Sequence, residues 1–425
     1  MKREIILLCI LFSTVYTSIY AQYPKKDGLK PQNFVEKIDS NDIIAERLCR
    51  IDTAFQRAVD QGILPQAVTL VIHKGNIIHY KAYGWRNKEK KIKCEKDDIF
   101  RIASQTKAIS VCALMTLWEQ GLFRLDDPIK KYIPAFENMQ VLDSFDVTTR
   151  KYTTRPAKRD ITIRDLMTHT SGICYNGVHW DIAIDSGVPP LNSLEKITLE
   201  EVVNRIAKLP LAHDPGEKFT YSMNIEVLGR LAEILSGKPI DKFLKETIFD
   251  PLGMTDTYFY LPKEKKNRLV TLYTYPEGGP LQKSNHPIYQ SYPIAGAKTY
   301  CSTGAGLSGT ALDYAKFCQM VMNGGEFNNH RILGRKTIEM MMRNNVHDLR
   351  GEIGFGLAWD VFRPQYVYKT IVSEGASRWG GMFGTDYIID PAEDLIVIMY
   401  TNFEVNGTGV NFKEMLHNTT YQTLK

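Results

Sequence analysis

The chain has 425 residues, a formal net charge of +5 and 44% hydrophobic residues, enough for a large core and more than one domain. The basic excess is spread along the chain without a Lys/Arg block, which excludes a nucleic-acid tract as the basis of function. The seven cysteines form no Cys-x-x-Cys and the nine histidines no His-Glu-x-x-His or His-x-His, so neither a metal site nor a dense disulfide framework is expected.

Met1-Lys2-Arg3-Glu4 precedes the apolar run from Ile5 to Phe12, and small and polar residues follow to Ala21. That layout predicts a secretory signal peptide over residues 1–21 and a periplasmic or secreted protein. Cys9 lies too near the start for a lipoprotein box, and no later stretch is long and apolar enough for a stable membrane span. Residues 22–40 are polar and predict a disordered leader. An amphipathic helix is expected over 42–61, then two strands over 67–73 and 77–84 joined at Lys74-Gly75-Asn76. Ile99 to Ala103 leads into Ser104 and a helix to Gln120, with Ile109, Cys112, Met115 and Trp118 at helical spacing and Gly121 as its stop. Cys112, and Cys318 further on, fall on apolar helix faces as buried thiols.

From residue 126 to 289 the pattern changes to loops and short helices, the clearest over 162–169, 198–209 and 222–236. Beyond Ser291 a helix is expected over 308–323, strands over 354–361, 366–374, 384–390 and 395–401, and a last helix over 410–422. Strands at both ends with helices between predict an α/β fold of the α+β type. Residues 41–125 and 290–425 would build one antiparallel sheet flanked by helices, and 126–289 a mostly helical domain.

Ser104-Gln105-Thr106-Lys107 is an S-x-x-K tetrad, the spacing that puts a lysine amine beside a serine hydroxyl on one helix face. In the first turn the serine's own N–H is unpaired and available to an oxyanion. Ser193-Leu194-Glu195-Lys196 repeats the spacing, but follows Pro189-Pro190 in a loop and reads as an ordinary surface serine. Tyr221, at a loop-to-helix junction, supplies a candidate proton carrier. A lysine beside it would lower its pKa by favouring the phenolate.

The chain resembles the serine β-lactamase and penicillin-binding-protein-like family, related to the class C enzymes, and within it the family VIII carboxylesterase branch. The resemblance spans about residues 45–405. Besides the tetrad it rests on the segments 121–129 (GLFRLDDPI), 161–172 (ITIRDLMTHTSG), 215–222 (PGEKFTYS), 251–254 (PLGM) and 379–384 (WGGMFG). It implies that Ser104 is acylated, that Lys107 and Tyr221 manage protons without a cofactor or metal, and that Met382 supplies the second oxyanion N–H from the Trp379-Gly380-Gly381-Met382 stretch.

Two departures bear on the substrate. The Tyr-x-Asn pattern of lactamases reads Tyr221-Ser222-Met223, with Asn224 one position late, and Lys-Thr-Gly occurs nowhere. The first loses an amide donor and the second a cation suited to a carboxylate. Trp379 instead offers an apolar wall, and Arg378 reads as a solvent-exposed edge residue. The expected activity is hydrolysis of small-molecule carboxylic esters through acyl-Ser104. A β-lactamase or D-amino-acid (DD-) peptidase acting on cell-wall-type amides is the alternative within the class, and a non-catalytic penicillin- or cell-wall-binding sensor the alternative outside it. Gly304-Ala305-Gly306-Leu307-Ser308-Gly309 spells G-x-G-x-x-G but lacks a βαβ context, and reads as a backbone-packing loop. His169 reads as a satisfied structural histidine, and Asp127 and Asp165 as caps.

Overall fold

Lys74 and Gly75, both at positive φ, close a two-residue turn between strands β2 (Gln66–His73) and β3 (Asn76–Asn87). Two consecutive left-handed residues give the turn whose twist matches the paired strands. The structure, a computed structural model, describes residues 34–276, 279–404 and 410–425. The expected signal peptide and residues 22–33 of the leader lie outside these. The end of the expected leader departs from disorder: Val35–Glu36 (β1) pairs in parallel with β3, and Lys37 N–H reaches the Ile77 carbonyl at 3.0 Å. Backbone bonds to an open sheet edge need no apolar side chains, so composition gives no sign of them.

The other strands of the main sheet are β4 (Ile92–Lys93), β5 (Gly354–Phe355), β6 (Asp360–Val361), β7 (Ser377–Gly380), β8 (Asp386–Asp390) and β9 (Leu395–Tyr400). They form one sheet in the order β1-β3-β2-β9-β8-β7-β6-β5, with β4 on β3. Every pairing but that of β1 is antiparallel, so the sheet is mixed only at its edge. The register Val71↔Val397 joins the two ends of the chain in the middle of the sheet.

Alternation along β2 and β9 sends side chains to two cores. Val71, Val397 and Met399 pack with α1 (Ala45–Asp60) and the C-terminal helix. Leu70, Ile72, Ile396 and Ile398 pack on the other face with α2 (Thr106–Glu119). That helix is buried almost all round, as expected of one sandwiched between layers. Its outer side meets α5 (Asn224–Ser236), closed by Gly237 in the left-handed conformation, and α3 (Ile163–Met167) and α4 (Leu199–Ile206) pack in turn on α5. Thr162 and Thr198 start α3 and α4 with reciprocal capping boxes to Asp165 and Glu201. Asp165 is thus a cap, as expected. α6 (Ala311–Met322) lies on the α2 side of the sheet and α7 (Phe412–Tyr421) on the α1 side.

Two expected strands differ. Residues 366–374 hold a short 3-10 turn at Val367–Lys369, where Tyr366 N–H and Lys369 N–H bond back three residues. Tyr368 and Ile371 are exposed, so their apolar character has no core to face. The 354–361 strand is broken into β5 and β6 by a tight reversal at Gly356–Trp359, with Ala358 at φ 103°. Within the 126–289 stretch, expected to be mostly helical, Gln140–Phe145 forms a hairpin with Tyr152–Pro156 and Tyr273–Thr274 pairs with Gln282–Lys283. The hairpin's mostly exposed second strand carries no burial pattern to read. No helix among the described residues is long and apolar enough to cross a membrane.

Candidate active site

Ile102 ends a two-residue ladder, Phe100–Arg101 paired with Ser308–Gly309, and the chain then turns sharply through Ala103 at φ 44°. This left-handed alanine sets a 3-10 turn, Ala103–Gln105, ahead of α2. Ala103 and Gln105 are buried, while Ser104 between them stays partly open. A non-glycine residue at positive φ costs about 1 kcal/mol or more and persists where its surroundings hold it. Ala103 is held by Leu272, Tyr292 and Phe383.

Ser104 Oγ receives two donors. Lys107 Nζ reaches it at 3.2 Å, from three residues on, and Tyr221 donates its hydroxyl at 2.7 Å. Lys107 is buried and also donates to the Gly304 carbonyl at 2.7 Å. Burial drives its pKa from the usual lysine value down to about 7, and the Glu226 carboxylate opposes that fall. Tyr221 departs from expectation. Its pKa is pushed up to about 12, because burial outweighs its hydrogen bond with Ser104 and the charge of Arg350. The lysine half-neutralised by its own burial is too weak a cation to hold a phenolate.

Aromatic rings fix the phenol. His169 lies 4.7 Å from the Tyr221 ring, Trp379 5.4 Å and Tyr175 6.3 Å, centroid to centroid. His169 is fully buried and only half satisfied: Nδ1 accepts from Asn224 Nδ2 at 2.7 Å, while Nε2 has no partner. Burial holds it well below the usual histidine range, hence neutral. Asn224 also pairs with Ser171, and Met223 is buried in the core at 3% exposure. Neither residue of the displaced Tyr-x-Asn pattern is left with a free polar group toward a substrate.

Trp379 lies on β7, and the chain leaves that strand through a turn closed by Gly384 N–H to the Gly381 carbonyl at 3.0 Å. Met382 is the first inner residue of this turn, with its side chain half exposed. Among the described residues neither its N–H nor that of Ser104 has a partner. A Cβ on Gly381 would stand 2.4 Å from the Ile102 carbonyl oxygen and from Thr385 Oγ1, so the turn is packed directly onto the segment that carries Ser104. Gly380 is likewise crowded, by the Thr385 carbonyl and Lys413. The structure therefore brings Ser104, Lys107, Tyr221 and the Trp379–Met382 stretch together.

Other expectations divide. Ser193 is buried at 6%, not a surface residue, and its hydroxyl accepts from Glu195 N–H in a local turn. Packing of the neighbouring Leu194 near Ala103 draws it inward. Arg378 is half buried, not a solvent-exposed edge, with a buried Nε lacking a partner. Strand alternation points it to the sheet face opposite Trp379. The Gly304–Gly309 loop is a packing loop as expected: methyls at Gly306 or Gly309 would meet neighbours at 2.7 and 2.9 Å. Cys112 and Cys318 are free and buried, and no cluster of metal-ligating residues occurs among the described residues.

Three participants escaped the sequence reading. The Gly304 carbonyl has no side-chain signature. Arg350, stacked over Phe219, Phe355 and Trp379 and paired with Asp360, comes from a patternless loop. Glu226 did leave a sign, an acidic residue amid Ile225, Val227 and Leu228 on a helix buried on that side.

A beta-lactamase family model matches residues 51–418. Protein Rv1367c of Mycobacterium tuberculosis is 31% identical over 360 residues, covering 81% of this chain and 87% of that protein. Esterase EstB of Burkholderia gladioli is 26% identical over 388 residues, covering 85% and 92%. Among solved structures, EstCE1, a hydrolase with promiscuous acyltransferase activity, superposes with a TM-score of 0.73 at 24% identity over 89% of this chain and 99% of that one.

Proposed function

The chain belongs to the beta-lactamase family and is a serine hydrolase, and from that premise we propose that it is an exported carboxylesterase acting through an acyl-Ser104 intermediate. One observation carries the reading: Ser104 Oγ sits between Lys107 Nζ and the Tyr221 hydroxyl, at 3.2 and 2.7 Å. The aromatic surroundings and the absent Lys-Thr-Gly favour an uncharged ester over a lactam or stem peptide, as does the likeness to an esterase.

The protonation states assign the roles. Lys107, near 7, is substantially a neutral amine at neutral pH, and its lone pair takes the Ser104 proton as Oγ bonds to the ester carbon. The carbonyl oxygen becomes an oxyanion held by the N–H groups of Ser104 and Met382. Tyr221, a neutral phenol, gives its proton to the departing alkoxide and recovers one from Lys107, the two groups facing the same Ser104 oxygen. Water then adds to the acyl carbon with Lys107 again as acceptor, and the carboxylic acid leaves as Oγ is reprotonated. No step calls for a metal or organic cofactor. Export rests on the signal-peptide layout of residues 1–21.

The test is hydrolysis of a short-chain p-nitrophenyl ester and of nitrocefin by wild type and Ser104→Ala. Ester cleavage by wild type alone, far above nitrocefin turnover, supports the proposal. Comparable or faster nitrocefin turnover would replace it with the lactamase reading, and stoichiometric acylation without turnover with the sensor reading.

A further inference from the structure

We propose that Glu226 is a positioning residue of this site, its buried carboxylate fixing the Ser302–Gly304 backbone and, through it and through its charge, the place and protonation of Lys107. The inference rests on Lys107 being the acceptor of the Ser104 proton.

Glu226 has no exposed surface and lies on α5, five residues after Tyr221. Its carboxylate accepts from the Ser302 hydroxyl at 2.7 Å, Gly304 N–H at 2.9 Å and Thr303 N–H at 3.1 Å. Every one of these partners is a donor, which is the environment of an ionised carboxylate and not of a protonated one. Burial raises the Glu226 pKa above the usual carboxylate value, and these donors together with the charge of Lys107 oppose that rise and favour the anion. Gly304 joins the two: its N–H is held by Glu226 while its carbonyl accepts from Lys107 at 2.7 Å. A methyl built on Gly304 would stand 2.9 Å from Glu226 Oε1 and 3.5 Å from Lys107 Nζ. The absence of a side chain there thus lets carboxylate and amine approach one point.

The groups around the pair are otherwise uncharged. Lys107 faces Ser104, the Tyr221 phenol and the Gly304 carbonyl. Glu226 also faces the Tyr300 hydroxyl and the Cys301 thiol, both kept protonated by burial. His169, packed against the Tyr221 ring, is neutral, and the charge of Arg350 bears on Tyr221. Glu226 is therefore the charge that opposes the loss of the Lys107 proton. It limits how far burial lowers the lysine and keeps its nitrogen aimed at Ser104. None of this requires Glu226 to touch the substrate.

The experiment is the pH dependence of kcat/KM for p-nitrophenyl butyrate, using the full chain as wild type, Glu226→Gln, Glu226→Asp and Gly304→Ala. Without the carboxylate the neutral amine is favoured, so the acid-limb midpoint of Glu226→Gln moves to lower pH by at least about one unit, the low end for loss of an opposite charge at short range. Its plateau rate falls roughly tenfold or more, because an amide presents N–H groups to donors. Glu226→Asp restores the midpoint towards wild type. Gly304→Ala wedges the pair apart and shifts the midpoint in the same direction, so the test stands even if Glu226→Gln does not fold. Loss of rate with an unmoved midpoint in both variants would reduce Glu226 to a packing role and overturn the inference. A wild-type profile with no acid limb near neutrality would instead remove Lys107 as the base, and this inference with it.

Discussion

Lys107 and Tyr221 both bond to one oxygen, Ser104 Oγ, and their pKa values move apart from ordinary values that nearly coincide. The amine is pulled down to about 7 and the phenol pushed up to about 12. Both shifts have the same cause, since removal from water disfavours the charged form of each group, ammonium in one and phenolate in the other. Ester chemistry at this site therefore depends on how much of Lys107 is neutral.

The pH profile follows from that. With Lys107 as acceptor, kcat/KM for an ester rises with pH as the ammonium is lost and is half-maximal at about pH 7. If the Tyr221 phenolate were the base, the rise would continue well beyond pH 9. A stopped-flow series from pH 5 to 10 distinguishes the two.

Tyr221→Phe keeps the ring that packs against His169, Trp379 and Tyr175 but removes the proton donated to Ser104 Oγ. The expected loss in kcat is at least about a hundredfold, within the range of general acid–base catalysis, with no change in the urea midpoint. An unchanged kcat would take Tyr221 out of the mechanism.

The oxyanion assignment concerns a backbone atom, so it is tested by removing an N–H. Met382 occupies the first inner position of the Gly381–Gly384 turn, where the φ of proline is favoured. Met382→Pro should lower kcat by about 10²–10³, whereas Met382→Ala, trimming a half-exposed side chain, should stay within a few-fold of wild type. Equal kcat values for the two variants would exclude this N–H.

Restoring the lactamase-like Tyr-x-Asn spacing should not restore lactamase chemistry. Met223 is packed in the core, so Met223→Asn buries an amide without partners, which destabilises by roughly 1–3 kcal/mol. Urea unfolding should show that loss, and nitrocefin turnover should not rise. A variant of wild-type stability that cleaves nitrocefin would mean the position opens onto the substrate.

The sequence by itself determined the elements whose patterns are local. The β2–β3 hairpin, α2 and α5 are written in alternation, helical spacing and the stops at Gly121 and Gly237. The Ser104–Lys107 pairing needs only the turn of one helix, so it too was legible. The ordered motifs were enough to identify the family and its α/β fold. Tertiary structure decided what depends on residues far apart in the chain. The edge pairing of β1, the cation at Arg350 and the Gly304 carbonyl beside Lys107 arise from contacts that leave no periodic trace. The protonation of the site belongs with these, because a pKa is set by burial and by neighbouring charge. Reading residue types alone, a lysine beside a tyrosine suggests a phenolate. Enclosed away from water, with Glu226 opposing the lysine's fall, the same pair becomes an amine near half-neutral and a phenol.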